Sequence, residues 1–433
     1  MTAVSKTLFF ILIALFCVTS PAGAMSPGPG EIPSALIREA LDHNPGIKAA
    51  KLKWRAAVED IRLAASLADP QVKYTDFTDP IETRLGPQEW SLTVNQKIPF
   101  PAKLAKRSDI AAARAELARL NFEVAVRETI RNLRRSFASL AYLNRAESLA
   151  RDNLSLIKKA ALLAAEPEKS KNTLNLDLLR AASQEAQAGY DLILIQEKTA
   201  SETEEFNALL ARKPEQIPGR IELAEARPLS LDLEDIQAAA LAHHEEIRAA
   251  EIRSKIAANK KTLARLSFLP DFSIGMFYAE IGRPEVASPP PEAGRNAMGI
   301  SGGLTLPLWL GKNTSRLAQA RADEEASLAA KHNLENQTRV RVSRTYFKLK
   351  NSLRLVSLYR DNLIPQATAQ LGVSESEARN DLRTLANHLE ALATLYNFRL
   401  SLARARSDYQ QELADLEALA GRPLTSRNGE NGP

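Results

Sequence analysis

Histidine, cysteine and clustered carboxylates are the side chains that carry most catalytic and metal chemistry, and this sequence uses them sparingly. Its five histidines are His43, His243, His244, His332 and His388. None stands at ligand spacing from a cysteine or a carboxylate cluster. The adjacent His243 and His244 come nearest to a metal motif, but His43 and His243 are repeat equivalents near helix starts, which is a structural position. The one cysteine, Cys17, lies among the first 24 residues. There Lys6, an apolar run from Leu8 to Val18 and Ala22-Gly23-Ala24 form an export signal with a small-residue cleavage site, so residues 1–24 are expected to be removed. Lipid attachment at Cys17 is a competing chemistry, but Phe16 precedes it where attachment wants a small residue. A mature chain without cysteine has neither thiol catalysis nor thiolate metal sites. No catalytic residue, metal site or cofactor is expected.

With no catalytic constellation, the informative residues are those that alternate. Trp90, Leu92, Val94 and Ile98 alternate with Ser91, Thr93, Asn95 and Lys97, the period of a strand with one apolar and one wet face, and only Gln96 interrupts the apolar series. The pattern recurs from Asn296 to Lys312, where Met298, Ile300, Leu304, Leu306 and Leu308 alternate with Gly299, Ser301, Gly303 and Thr305. Each strand follows another strand candidate, Pro70–Phe77 or Pro270–Ile281, and each ends in a proline and a lysine, Pro99 with Lys103 and Pro307 with Lys312.

These strands sit between helices too long for a compact globule. Residues 102–165 contain neither proline nor glycine and, at 1.5 Å per residue, predict a helix of roughly 90 Å. Such a helix needs partners. Ile130 and Phe137, and Leu133 and Leu140, stand seven apart, and Val342, Tyr346, Leu349, Leu353, Val356, Arg360 and Leu363 continue in steps of four and three. A return helix carries Leu395, Leu402, Tyr409 and Leu416. Polar turns are expected at Glu166–Asn172 and Val373–Asn380.

The chain is an internal two-fold repeat. Ala40, Leu41, His43, Ile47, Pro70 and Phe77 recur 200 positions later, and Arg151-Asp152-Asn153-Leu154 recurs 209 positions later as Arg360-Asp361-Asn362-Leu363. The expected organisation is a first repeat over 25–213, a Pro- and Gly-rich linker over 214–231, a second repeat over 232–423 and a disordered tail over 424–433. A net charge of +5 is interleaved along the helices, which reads as solvated helix faces and not as a nucleic-acid surface. No mature apolar run reaches the ~18 residues of a membrane-spanning helix.

Four amphipathic strands cannot close a barrel alone, and open strand edges are not tolerated in lipid, so the chain is expected to oligomerise. If the apolar faces meet lipid, Leu92 and Leu304 face the hydrocarbon and Ser91, Thr93, Asn95, Lys97, Ser301 and Thr305 line a water-filled pore. From Leu36 to Pro423 the layout resembles the outer-membrane efflux proteins of Gram-negative bacteria, the TolC-like family. Asn44-Pro45, Ile98-Pro99 with Lys103, Leu304-Thr305-Leu306-Pro307-Leu308 and Thr394-Leu395-Tyr396-Asn397 after Arg383-Thr384 carry the resemblance. Trp309-Leu310-Gly311-Lys312-Asn313 is most similar to the subgroup serving heavy-metal resistance pumps.

The resemblance implies a mainly α protein with transmembrane β structure: a homotrimer whose 12-stranded β-barrel, four strands per chain, continues into a helical coiled-coil barrel in the periplasm. It implies a passive exit duct for metal ions or drugs, handed over by an inner-membrane pump and a periplasmic adaptor protein. It also implies a periplasmic gate, with a latch between Asp177 and Arg383 and two pore rings at Asn387 and Glu390. Asn387 replaces the family's acid, so one ring is uncharged here. Two other readings compete, a periplasmic adaptor with one helical hairpin set in small β domains and a coiled-coil scaffold; neither explains two strand pairs.

Overall fold

A computed structural model describes residues 32–164, 174–214, 216, 219, 221–380 and 385–424. The signal segment, the first polar turn at 166–172, Arg383 and the last nine residues lie outside them. The elements run α1 (Ser34–His43), α2 (Pro45–Ala65), β1 (Gln71–Thr83), β2 (Gly86–Ile98), α3 (Pro101–Ala164), α4 (Leu174–Leu209), α5 (Leu233–His243), α6 (Glu245–Leu266), β3 (Asp271–Ile281), β4 (Ala297–Thr305), α7 (Leu310–Ser357), a π-helical turn (Leu358–Leu363), α8 (Ile364–Asn380) and α9 (Leu385–Ala420).

Helix boundaries follow from caps. The Asn44 side chain accepts from the amides of Gly46 at 2.9 Å and Ile47 at 3.2 Å, and Pro45 supplies the preset first helical φ of α2. The repeat equivalent of Asn44 is His244, whose Nδ1 accepts from the Glu246 amide at 3.3 Å and caps α6. Asp232 caps α5 through the Asp235 amide at 2.9 Å. At the other end of the chain α9 stops at Gly421, whose φ of +72° suits glycine; a Cβ there would meet the His243 backbone at 2.9 Å.

The contacts divide the chain into two compact units, each drawing on both sequence repeats. Among the described residues, one comprises those within 32–39, 133–227 and 352–411, the other those within 40–132, 228–351 and 412–424. In the first, Leu133, Phe137 and Leu140 of α3 are buried, as are Leu395 and Tyr409 of α9. Phe137 packs on Phe206 with ring centroids 6.4 Å apart. Arg212 forks onto Glu39 at 2.5 and 2.6 Å, and the Glu39 carboxylate raises the Arg212 pKa. Asn207 donates to the carbonyls of Pro214 and Gln216, and the Tyr409 hydroxyl donates to the Arg227 carbonyl, so the linker is tied down at both ends.

Three expectations need correction. Val373–Asn380 is the end of helix α8 and not a turn. Leu424, placed at the start of the tail, is buried and its amide donates to Glu417. The heptad seam stops at Val356, because Leu358–Leu363 is π-helical with no buried residue. Pro365 is the cause: it has no N–H for the carbonyl of Asp361 and its ring crowds that turn, and the wider π spacing, with Ile364 N–H reaching Tyr359, absorbs the misfit. The first repeat has Leu156 at the equivalent position, and its Arg-Asp-Asn-Leu stays α-helical.

Candidate functional site

The four strands form one antiparallel sheet in the order β1-β2-β3-β4. Registers Val72↔Val94, Val94↔Met276 and Met276↔Ile300 set even-numbered residues opposite even-numbered ones throughout the regular part. Because side chains alternate across a strand, every even residue there shares one face. That face holds Val72, Tyr74, Leu92, Val94, Phe272, Ile274, Met276, Met298, Ile300 and Leu304, and most of it is open to the surroundings, Ile300 at 81% exposure. Gln96 also lies on it, but its amide donates to the carbonyls of Ala68 at 2.7 Å and Lys97 at 2.9 Å, so the break in the apolar series is satisfied locally.

Aromatic rings bound the apolar band. At one end Trp90 lies 5.7 Å from Tyr74 and 5.3 Å from Tyr278, with the two tyrosine hydroxyls donating to Asp76 and Glu280. At the other end Phe100 stacks on Phe272 at 6.5 Å. From Trp90 to Ile98 is eight residues, roughly 26 Å along a strand. At the ~40° tilt of a barrel strand this spans about 20 Å along the barrel axis, somewhat under the ~25 Å apolar band of a membrane barrel.

The odd face carries Thr75, Ser91, Thr93, Asn95, Lys97, Ser273, Gly275, Ser301 and Thr305, so all six pore-lining candidates share one side of the sheet. It is the more enclosed side, since Ser91 is only 7% exposed and Ala279 is fully buried. Its small residues are there for room: a Cβ on Gly275 would lie 2.6 Å from Ser301 Oγ, and one on Gly303 would lie 2.4 Å from Ser273 Oγ. Both sheet edges, β1 and β4, are unpaired among the described residues.

Lys103 fastens the sheet to the helices. Its buried ammonium donates to the Leu269 carbonyl at 2.7 Å and to Asp271 Oδ1 at 2.9 Å, and the same carboxylate oxygen accepts from the Phe100 amide at 2.9 Å. The chain thus closes across the start of β3 with a charged hydrogen-bond cluster. The second repeat departs from this: Lys312 is exposed, and its neighbour Asn313 is buried against Ser267, donating to its carbonyl at 3.4 Å.

The remaining candidates are scattered. Asn387 and Glu390 are exposed on α9 either side of the buried His388 and Leu389, as a shared helix face requires. Asp177 lies in α4 with its side chain outside the described ones, and with Arg383 undescribed the latch is not brought together. His43 and His243 are exposed, and His332 faces Glu335 at 3.3 Å. His388 is buried 3.2 Å from Ser374 Oγ. Burial lowers the pKa of His244, partly offset by Glu246 and Glu245 and reinforced by Arg127 and Arg341. Among the described residues no group of three His, Cys, Asp or Glu could hold a metal ion, and no helix is long and apolar enough to cross a membrane.

A sheet with one apolar and one wet face, mounted on very long helices, defines a class of membrane channel protein. The profile of outer membrane efflux proteins matches residues 36–212 and 237–422, and the chain belongs to that family. The fold is similar to the outer membrane protein VceC from Vibrio cholerae, at 20% identity and TM-score 0.74, covering 90% of this chain and 96% of that one. A membrane protein from Pseudomonas aeruginosa is similar at 16% identity and TM-score 0.78, over 94% and 96% of the two chains. The open-state MtrE outer membrane channel of Neisseria gonorrhoeae is similar at 16% identity and TM-score 0.73, over 90% and 89%. No curated protein sequence matches the chain. The protein is an outer-membrane efflux duct of a Gram-negative bacterium, built on the TolC-like channel fold and belonging to a family of channels, not of enzymes. That excludes the adaptor and scaffold readings.

Proposed function

We propose that three copies pool their four strands each into a closed 12-stranded barrel with the even face in lipid and the odd face around water. The observation that supports this best is the sheet itself, a largely apolar and mostly exposed face between two edges unpaired among the described residues, which lipid tolerates only once the edges are closed. Ser91, Thr93, Asn95, Lys97, Ser301 and Thr305 then line the duct. A periplasmic adaptor docks on the segments around 166–172 and 373–380 and joins the duct to an inner-membrane pump, which selects metal ions or drugs. Toward the periplasm, Asp177 and Arg383 latch the closed state, Glu390 gives an acidic ring and Asn387 an uncharged one. The test is the oligomer: an SDS-resistant trimer in outer-membrane fractions that forms ion-conducting pores in planar bilayers. A soluble monomer of full helicity and no conductance refutes the proposal.

A further inference from the structure

The wet face is not electrically neutral. Four consecutive rows cross the sheet on it: Thr75–Ser91–Ala279–Ala297, Lys73–Thr93–Phe277–Gly299, Gln71–Asn95–Gly275–Ser301, and Lys97–Ser273–Gly303. These rows hold two lysines and no acid. On one side Asp69, just before β1, falls level with Lys97 by the β1–β2 register but forms no ion pair with it among the described residues, and Asp271, in the next row with Thr305, is already bound to the buried Lys103. On the other side Glu89 sits at the register shift with its carboxylate against Gly282, beyond the end of β3. Among the described residues neither Lys73 nor Lys97 forms an ion pair, and both are exposed.

From this we infer that the strands carry a cationic collar, Lys73 and Lys97, which concentrates anionic solutes in the barrel. The inference rests on the barrel reading above. Three copies place six ammonium groups on the lumen wall. A 12-stranded barrel with ordinary strand spacing and tilt has a backbone radius of roughly 12 Å, and a lysine reaches about half of that. At 0.1 M salt the Debye length is about 10 Å, so the collar acts across the whole bore. At 1 M it is about 3 Å and the effect is confined to the wall. Rings of charged side chains set selectivity in this way. Thr93, directly opposite Lys73 and level with Phe277, is the place to read the potential.

The test uses the full chain with Cys17→Ser and Thr93→Cys, assembled in outer membranes. The rate of thiol modification is measured with an anionic sulfonatoethyl methanethiosulfonate and a cationic trimethylammonioethyl one, each divided by its rate with free 2-mercaptoethanol. A local potential of about one kT favours the anionic reagent about sevenfold at 0.1 M salt. Lys73→Gln with Lys97→Gln is expected to bring the ratio near one, as is 1 M salt, while Lys73→Arg with Lys97→Arg keeps it. A ratio that the glutamine pair leaves unchanged, in channels that still assemble, overturns the collar alone. A thiol at position 93 that reacts with neither reagent overturns the barrel reading and the collar with it.

Discussion

The row Val72–Val94–Met276–Ile300 lies midway between the two aromatic levels, so Val94→Arg is the sharpest probe of the apolar face. Val94 is four residues from Trp90 and four from Ile98, about 13 Å of strand each way and about 10 Å along the membrane normal at a 40° tilt. An arginine there cannot reach either interface without distorting the barrel, and the expected cost is about 2–4 kcal/mol for each chain. Leu92 is only two residues from the Trp90 level and Leu304 pairs with Phe272 at the other level, so arginine there snorkels and costs nearer 1 kcal/mol. Thr93→Arg, one residue away on the wet face, is expected to cost less than either. Denaturant unfolding of the trimer in lipid vesicles measures the difference, and 3 kcal/mol is a change of over a hundredfold in the folding equilibrium. Equal costs at positions 93 and 94 would refute the assignment of faces, and equal costs at 92 and 94 would refute the position of the band.

His244 accepts a hydrogen bond through Nδ1 only while neutral, and burial holds its pKa below the ordinary 6.5. The unfolded chain therefore binds the proton more readily, so this cap's contribution is complete above pH 6.5 and is lost as pH falls from there through the folded value. His244→Asn, the residue the first repeat uses, is expected to remove that loss in melts between pH 7.5 and 5.5, and His244→Ala to cost about 1 kcal/mol at pH 7.5. Lys103→Met abolishes two charge-assisted hydrogen bonds and strands Asp271, which is 41% exposed; about 2 kcal/mol is expected, read as faster protease cleavage between α6 and β3. Glu390→Gln is expected to weaken block by divalent cations added on the periplasmic side, and Asp177→Asn with Arg383→Gln to raise single-channel conductance. Unchanged block and conductance would remove the gate from these residues.

The strand faces were legible because their signal is periodic and local. Alternation in Trp90–Ile98 separates the two sets of residues with no knowledge of the partner strand, and the register keeps the two sets on opposite sides of the sheet. Depth was not legible: Leu92 and Leu304 stand as equivalents in the sequence, whereas the register shows both nearer the rims than Val94 and Ile300. Partners distant in sequence were equally hidden. Lys103 is a visible strand-end landmark, but Asp271, 168 residues on, shows no pattern of its own. Local backbone chemistry was underread at Pro365, where one missing N–H converts a heptad seam into a π turn. The candidate gate was reached only through family resemblance, since solvated acids and arginines on a helix have no spacing that distinguishes a latch from a surface.

The repeat offsets reveal what constrains the strands. Before the sheet the copies differ by 200 positions, an even number, so equivalent residues of β1 and β3 fall on the same face. Pro99 and Pro307, just past β2 and β4, differ by 208, again even: the longer β3–β4 connection adds eight residues and leaves the parity of β4 intact. The offset becomes odd, 209, only between Pro307 and Lys312, after β4 has ended at Thr305. A single residue added one turn earlier would have carried Met298, Ile300 and Leu304 to the wet side and Ser301 into lipid. The helices tolerate the odd residue because a 100° rotation at their start is absorbed in an exposed segment, where Trp309 and Leu310 lie open and Lys312 has left the anchoring role that Lys103 keeps. The second repeat thus gave up its anchor and kept its strand parity, which is the order of priority expected when two faces of one sheet must meet lipid and water.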